Sequence, residues 1–228
     1  MLNEQCKENK MASETKQHIM EAALELFAQN GYLGTSMNDI ASCLEITKGA
    51  LYKHYKSKRE ILEKILERMA ELDFERAKEY GMPENNDGNF AEEYTFLPVE
   101  KIREYSVAQF RHWTEEKFSS QFRRMLTVEQ HRNVEMSELF QNYLASGPLE
   151  YMASIFRKIS GSDEDAMQIA LEFYGPMFFL YSVYDGAEPG KKDSVVELLK
   201  KHIDCFIARF EERRNLFFGG KNGELQDN

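Results

Sequence analysis

Thr35-Ser-Met-Asn-Asp-Ile-Ala-Ser-Cys-Leu-Glu-Ile-Thr-Lys-Gly-Ala-Leu-Tyr-Lys-His-Tyr-Lys-Ser-Lys58 packs two short helix patterns around a tight turn. Ser36 followed three residues later by Asp39 has the form of a capping box and opens the first pattern, which carries Ile40, Ala41 and Leu44. The second begins near Thr47. Ile40, Leu44, Ile46 and Leu51 are placed to form a small core that fixes the angle between the two helices. Between Ile46 and Arg59 lie five basic residues (Lys48, Lys53, Lys56, Lys58, Arg59) and no acid, with aromatic and hydroxyl side chains between them. A helix that enters a DNA groove needs this combination.

The surrounding charge sharpens the reading. The chain has 228 residues and a net charge of −10. Residues 1–62 hold eight Lys/Arg and eight Asp/Glu, so the whole excess of acid lies beyond them. Nucleic-acid contact is therefore expected from the N-terminal quarter, while the remainder repels phosphate. No apolar run approaches a membrane span, and the first residues lack the apolar core of a secretory signal. The expectation is a cytoplasmic protein without a membrane partner. Cys6, Cys43 and Cys205 are odd in number and lack metal-ligand spacing, so they read as free buried thiols, with no metal and no cofactor.

Helical periodicity runs through almost all of the chain, without sustained alternation of strand type. Ile19, Ala22, Ala23, Leu26 and Phe27 form one apolar face that ends at Asn30-Gly31. Ser57 and Glu60 open a long helix through Ile61, Leu62, Ile65, Leu66, Met69 and Leu72. Residues 81–89 read as a loop. Further helices are expected after Pro98, around Phe122–Val128, over about 134–160 with a break or bend at Gly147-Pro148, from Ser162 to about Tyr184 with a kink at Gly175-Pro176, and from about 191 to Phe217. The fold class is all-α with about nine helices. It divides into a three-helix helix-turn-helix DNA-binding domain at 1–62, a larger helical domain at 63–217, and a disordered tail at 218–228.

Residues 15–62 resemble the DNA-binding domain of the TetR (tetracycline-repressor-like) family of bacterial regulators. The resemblance is carried in fixed order by Thr15, Ile19, Ala22-Ala23, Leu26-Phe27, Gly31, Thr35-Ser36, Ile40-Ala41, Lys48-Gly49, Leu51-Tyr52, His54-Tyr55, Ser57-Lys58 and Leu62. It implies that Ser36, Thr47, Tyr52 and Lys58 hold phosphates and that Lys48, Lys53 and His54 read bases. Asn38 could also reach a base edge, and Gly49 lets the backbone come close. Two departures stand out. Glu45 occupies a turn position where the family usually has Gly, so a left-handed conformation there would cost about 1 kcal/mol. Ala50 replaces a frequent Thr. Tyr55 faces the first helix and reads as core.

The family resemblance also implies a homodimer built from the last two helices, and a small, partly apolar ligand bound in the C-terminal domain. Val196, Leu199, Ile203, Phe206 and Phe210 are spaced as a helix-packing seam, and with Phe173 and Leu180 they are the expected dimer interface. Tyr105, Gln109, Trp113, Phe122, Tyr151 and Met177 are the expected pocket, with His112, Glu129 and His131 as further polar groups that could orient a ligand. The leading reading is a ligand-responsive repressor that binds a palindromic double-stranded DNA operator as a homodimer. The alternatives are a protein-interaction adaptor with a helix-turn-helix that does not bind DNA, and an enzyme built on a helical bundle. For an enzyme the sequence offers no nucleophile elbow, phosphate loop or HExxH motif, and so no catalytic residue.

Overall fold

The computed structural model describes residues 2–83, 98–160 and 162–219, with side chains described for all but 2–12, 99, 158–160 and 213–219. Among these residues there are ten α-helices: α1 (Leu2–Asn30), α2 (Met37–Cys43), α3 (Lys48–His54), α4 (Lys58–Glu79), α5 (Val99–Glu115), α6 (Lys117–Glu129), α7 (Val134–Leu144), α8 (Ser146–Ser160), α9 (Asp163–Gly186) and α10 (Lys192–Gly219). A 3₁₀ turn at Pro189–Lys191 leads into the last. No strand occurs among the described residues. Most of the expected loop at 81–89 and of the expected tail at 218–228 lies outside them.

The chain forms two compact units. The first combines residues up to Glu79 with Glu115–Leu144, and the second combines Tyr80–Thr114 with the chain from Ala145 onward. The reader helices thus share a unit with α4, α6 and α7, which the sequence boundary at 62 assigned to the other domain. In this first unit α1 packs on α2, α3 and α4 and also on α6. That two-sided packing explains a shift in the buried face of α1. Ile19, Ala23 and Phe27 are buried as expected, but Met20 and Leu24 join them while Ala22 and Leu26 are only half-buried. Phe27, Ile40, Leu51, Ile61, Leu62, Ile65 and Met69 complete a core without solvent contact.

Local chemistry sets the helix boundaries. Gly31 ends α1 at φ +83°, with its N–H donating to the Phe27 carbonyl. Ser36 and Asp39 form the expected reciprocal box: Asp39 N–H donates to Ser36 Oγ at 3.2 Å and Ser36 N–H to Asp39 Oδ2 at 2.8 Å. At the start of α4, Glu60 N–H donates to Ser57 Oγ, while the Glu60 carboxylate accepts from Lys56 N–H rather than from Ser57. The break near Gly147-Pro148 falls at Ala145, and Pro148 sits in the first turn of α8, where a missing N–H costs nothing. Pro176 lies inside α9, which stays helical through it.

The α2–α3 turn shows how the Glu45 departure is absorbed. Glu45 has φ +55°, the left-handed conformation, and is the one non-glycine residue with positive φ among those described. Its N–H donates to the Ser42 carbonyl at 3.1 Å, and Ile46 N–H donates to Ala41 at 3.0 Å. These are the two bonds of a Schellman ending, which Gly normally occupies at this point. Glu45→Gly is expected to raise stability by about 1 kcal/mol, read as an upward shift of the thermal midpoint. It should also strengthen DNA binding by removing a carboxylate beside the recognition helix.

In the second unit α8 packs on α9 and α9 on α10. Phe110 on α5 stacks on Tyr181 at 5.3 Å and meets Tyr184 edge-on at 5.8 Å. The residues expected to face a second subunit form this unit's interior instead. Phe173, Leu180, Val196, Leu199, Ile203 and Phe206 are all buried and Phe210 half-buried. Phe173 and Phe206 pack at 4.9 Å, and Phe206 stacks on Phe210 at 5.8 Å. The 3–4 spacing of a helix seam is thus satisfied within the protomer, since a seam between neighbouring helices of one chain has the same period as one between subunits. Cys43 and Cys205 are exposed rather than buried. Cys6 falls where side chains are not described.

Candidate nucleic-acid interface

The recognition helix α3 is short and braced at both ends. Thr47 caps it, its Oγ1 accepting from Ala50 N–H at 3.1 Å, which leaves the Thr47 O–H to donate outward. At the other end Tyr55 is buried, and its hydroxyl donates to the Lys16 carbonyl of α1 at 3.1 Å. Leu51 is fully buried beneath the helix. That leaves Lys48, Gly49, Tyr52 and Lys53 exposed and His54 half-exposed on the outer face. Lys48 Nζ lies 5.9 Å from the centre of the Tyr52 ring, a spacing at which a cation and an aromatic face attract. Asn38 and Ser36 are exposed at the start of α2.

Two of the expected contacts acquire a different character. The Ser36 hydroxyl donates to Asp39 Oδ2 at 2.7 Å, so its proton is already committed. That hydrogen bond, with the one from the Ser36 backbone, holds the Asp39 carboxyl below its ordinary range, assisted by the charge of Lys58. Lys58 is turned inward. Its ammonium donates to the Tyr32 carbonyl at 2.5 Å and the Thr35 carbonyl at 2.7 Å, and lies 4.4 Å over the Tyr32 ring. Partial burial pushes the Lys58 ammonium below its usual range, while Glu129 and Asp39 pull it back. Arg59 is ion-paired to Glu63 and to Glu135. The five-residue basic island therefore divides: Lys48, Lys53 and Lys56 face outward, and Lys58 and Arg59 are engaged within the unit.

Gly49 has a role the protein's own packing does not explain. A methyl group there would meet only Thr47 Oγ1, at 4.0 Å. Gly49→Ala is thus expected to keep or raise stability, by up to about 1 kcal/mol. Because it blocks backbone approach to a phosphate, it should weaken DNA binding roughly tenfold or more. Opposite signs in melting and gel-shift measurements are the result that identifies a DNA-facing glycine.

The sequence missed the surroundings of Gly31. Glu129, at the end of α6, is fully buried, and neither carboxylate oxygen has a hydrogen-bond partner among the described residues. Arg132 Nη1 lies 3.6 Å away. Glu129 had been read as a group that could orient a ligand, but it sits in the same unit as the reader. The one sequence signal was Gly31 itself, and periodicity gave no hint of a carboxylate packed on it.

Of the expected ligand residues, Tyr105, Gln109, Trp113, Tyr151 and Met177 belong to the second unit. Gln109 Nε2 donates to the Tyr105 hydroxyl at 2.9 Å, and its Oε1 is buried without a partner among the described residues. Trp113 meets His112 edge-on at 5.5 Å. Phe122 lies in the first unit, fully buried and edge-on to Tyr143 at 5.0 Å, so it is core there.

Two short helices locked by a Schellman turn, the second bearing an outward basic face, define a helix-turn-helix of DNA-binding type. Residues 19–65 match the family described as bacterial regulatory proteins, tetR family. The HTH-type transcriptional regulator AcrR of Shigella flexneri is 45% identical over 56 residues, which is 25% of this chain and 26% of that protein. The match therefore spans about a quarter of that relative's length. Among solved structures, MexZ, a repressor responsible for antibiotic resistance in Pseudomonas aeruginosa, shares 17% identity at a TM-score of 0.59, over 85% of this chain and 94% of that one. A putative transcriptional regulator from Saccharomonospora viridis in complex with choline shares 23% at 0.56, over 86% and 96%. These likenesses extend the fold beyond the reader. The match to this family thus covers residues 19–65, and the AcrR relative that shares that segment is a transcriptional regulator. No helix among the described residues is long and apolar enough to cross a membrane.

Proposed function

We propose that the protein is a transcriptional repressor that binds a two-fold symmetric DNA operator as a homodimer and releases it on binding a small molecule. The carrying observation is the outer face of α3, where Lys48, Lys53 and His54 stand on a braced helix with Gly49 open beneath them. In this reading Lys53 and His54 read base edges, Lys48 serves base or phosphate, and Thr47 and Tyr52 hold phosphates, with Asn38 and Ser36 at the rim. A seven-residue helix covers only a few base pairs, so a specific site requires a second copy placed one DNA turn or a multiple away.

The surface for that second copy is not the buried seam. Met167, Leu171, Phe178 and Phe179 are exposed along α9, and Leu198 is exposed on α10. Apolar side chains of this size gathered on two helices suit a self-complementary interface. For the ligand, support comes from the buried Gln109 Oε1 beside Tyr105, an acceptor among aromatic rings. It favours a partly apolar molecule carrying a hydrogen-bond donor. The choline complex of the Saccharomonospora viridis regulator shows that a protein of this fold takes a small organic cation.

Selection of genomic fragments by the purified protein tests the reading. The expected result is a short inverted repeat, bound with an affinity that falls steeply as salt rises. Failure to retain fragments even at low salt would favour the adaptor reading.

A further inference from the structure

Lys58, at the head of α4, is the basic residue expected on the DNA backbone, yet its ammonium is spent inside the unit. Two of its three N–H groups are held by the Tyr32 and Thr35 carbonyls, at the two ends of the α1–α2 turn. Thr35 itself is buried, with Oγ1 donating to the Gly31 carbonyl at 2.9 Å. The turn leads directly into Ser36, the cap of α2. Whatever fixes Tyr32 and Thr35 therefore fixes where α2 begins and, through the Schellman turn, where α3 points.

Glu129 completes the arrangement from below. It reaches the turn from the end of α6, so close to Gly31 that a methyl group on that residue would stand 2.0 Å from its Oε1. Gly31 adjoins Tyr32, whose carbonyl Lys58 holds, and the Glu129 charge acts on the Lys58 ammonium. A fully buried carboxylate is costly without compensating charge; Arg132 Nη1 lies 3.6 Å away, and Lys58 holds the carbonyl of the residue next to Gly31. The neighbouring contact repeats the pattern, since Arg59 is paired to Glu135 at the start of α7. The corner between α6 and α7 thus engages both basic residues at the head of α4.

We infer that Lys58 and Glu129 form an internal strut that positions the recognition helix, and that Lys58 is a positioning residue rather than a phosphate anchor. The strut makes the end of α6 part of the reader: a displacement of that end moves the α1–α2 turn, and with it α2 and α3. The inference rests on α3 being the DNA face, and its test separates the two.

Lysine acylation of the full-length protein, followed by mass spectrometry, reads the strut without any substitution. In free protein Lys48 and Lys53 are expected to react quickly and Lys58 several-fold more slowly. On adding operator DNA, Lys48 and Lys53 become protected and the Lys58 rate stays unchanged. Protection of Lys58 together with Lys53 overturns the strut. Failure of DNA to protect Lys48 and Lys53 overturns the DNA face instead, while slow acylation of Lys58 in free protein still tests the strut. Salt titration of binding gives a second reading. Lys48→Ala is expected to lower the slope of log affinity against log salt by about 0.9, one phosphate's share. Lys58→Met is expected to leave that slope intact while weakening binding about tenfold at each salt concentration. Glu129→Gln should act in the same direction. The double variant should be no weaker than the worse single, because the two residues act as a unit. A slope lowered by Lys58→Met, or additive losses, would overturn the proposal.

Discussion

Phe179→Glu is expected to leave the protomer folded, convert it to a monomer, and weaken operator binding by roughly 10²- to 10⁴-fold, the size of a lost bivalent advantage. Phe179 is 65% exposed on α9, so inside one protomer its ring contributes little and a carboxylate there stays hydrated. Across a two-fold axis the same carboxylate would face the exposed Leu171, Phe178 and Leu198, and two charges would be buried per dimer without partners. Phe206→Glu supplies the contrast. Phe206 is buried against Phe173 and Phe210, so a carboxylate there should destabilise the protomer itself. Sedimentation equilibrium and thermal melting separate the two. A Phe179→Glu protein that remains dimeric would show that the second copy docks elsewhere.

The contrast between these phenylalanines also marks the limit of what the sequence could show. Helix period, caps and turn chemistry are local, and they placed α2, α3 and the start of α4 to within a residue. They even identified Glu45 as the anomaly that proves to sit at φ +55°. Which helix a seam faces is not local. Val196, Leu199, Ile203 and Phe206 carry the same 3–4 spacing whether the partner is α9 of the same chain or a helix of another. The exposed apolar residues, Phe179 and Leu198, lie beside that seam rather than in it. Lys58 is a related case. A lysine between basic neighbours reads as a DNA contact until the Tyr32 and Thr35 carbonyls are seen to hold it. Glu129 was invisible because no local pattern links the end of α6 to Gly31.

The division of the basic island changes how DNA affinity should be apportioned. If Lys58 and Arg59 act within the unit, the phosphate term belongs to Lys48 and Lys56 with the hydroxyls of Thr47 and Tyr52. The acidic remainder of the chain then has a second consequence beyond repelling phosphate. Glu129 and Glu135 engage two cations that would otherwise face DNA whatever its sequence. Fewer nonspecific contacts leave a larger share of the binding energy to base readout by α3, which raises discrimination at some cost in affinity.

Gly31→Ala is expected to be among the most damaging single-methyl changes in the reader, lowering stability by more than about 3 kcal/mol. Two causes act together. The φ of +83° disfavours any side chain, by roughly 1–2 kcal/mol. The added Cβ would also stand 2.0 Å from Glu129 Oε1 and 3.0 Å from Arg132 Nη1. Glu129 is at the end of a flexible side chain, but it is fully buried and cannot reach water unless α6 moves. Displacing it would move a buried carboxylate away from the exposed Arg132, toward the limit of about 3–5 kcal/mol that applies when a buried charge loses its partner outright. At about 2–4 °C per kcal/mol for a chain of this size, the melting midpoint should fall by roughly 10 °C. Gly31→Asn tells the two causes apart, because Asn tolerates the left-handed conformation but still carries a Cβ. If backbone conformation were the whole cause, Asn would be nearly harmless. The close approach of Glu129 predicts instead that Asn is almost as damaging as Ala. Adding Glu129→Ala to Gly31→Asn should then recover much of the lost stability, although Glu129→Ala alone destabilises. That reversal of sign, measured by thermal melting across the four proteins, would tie the turn before α2 to the end of α6.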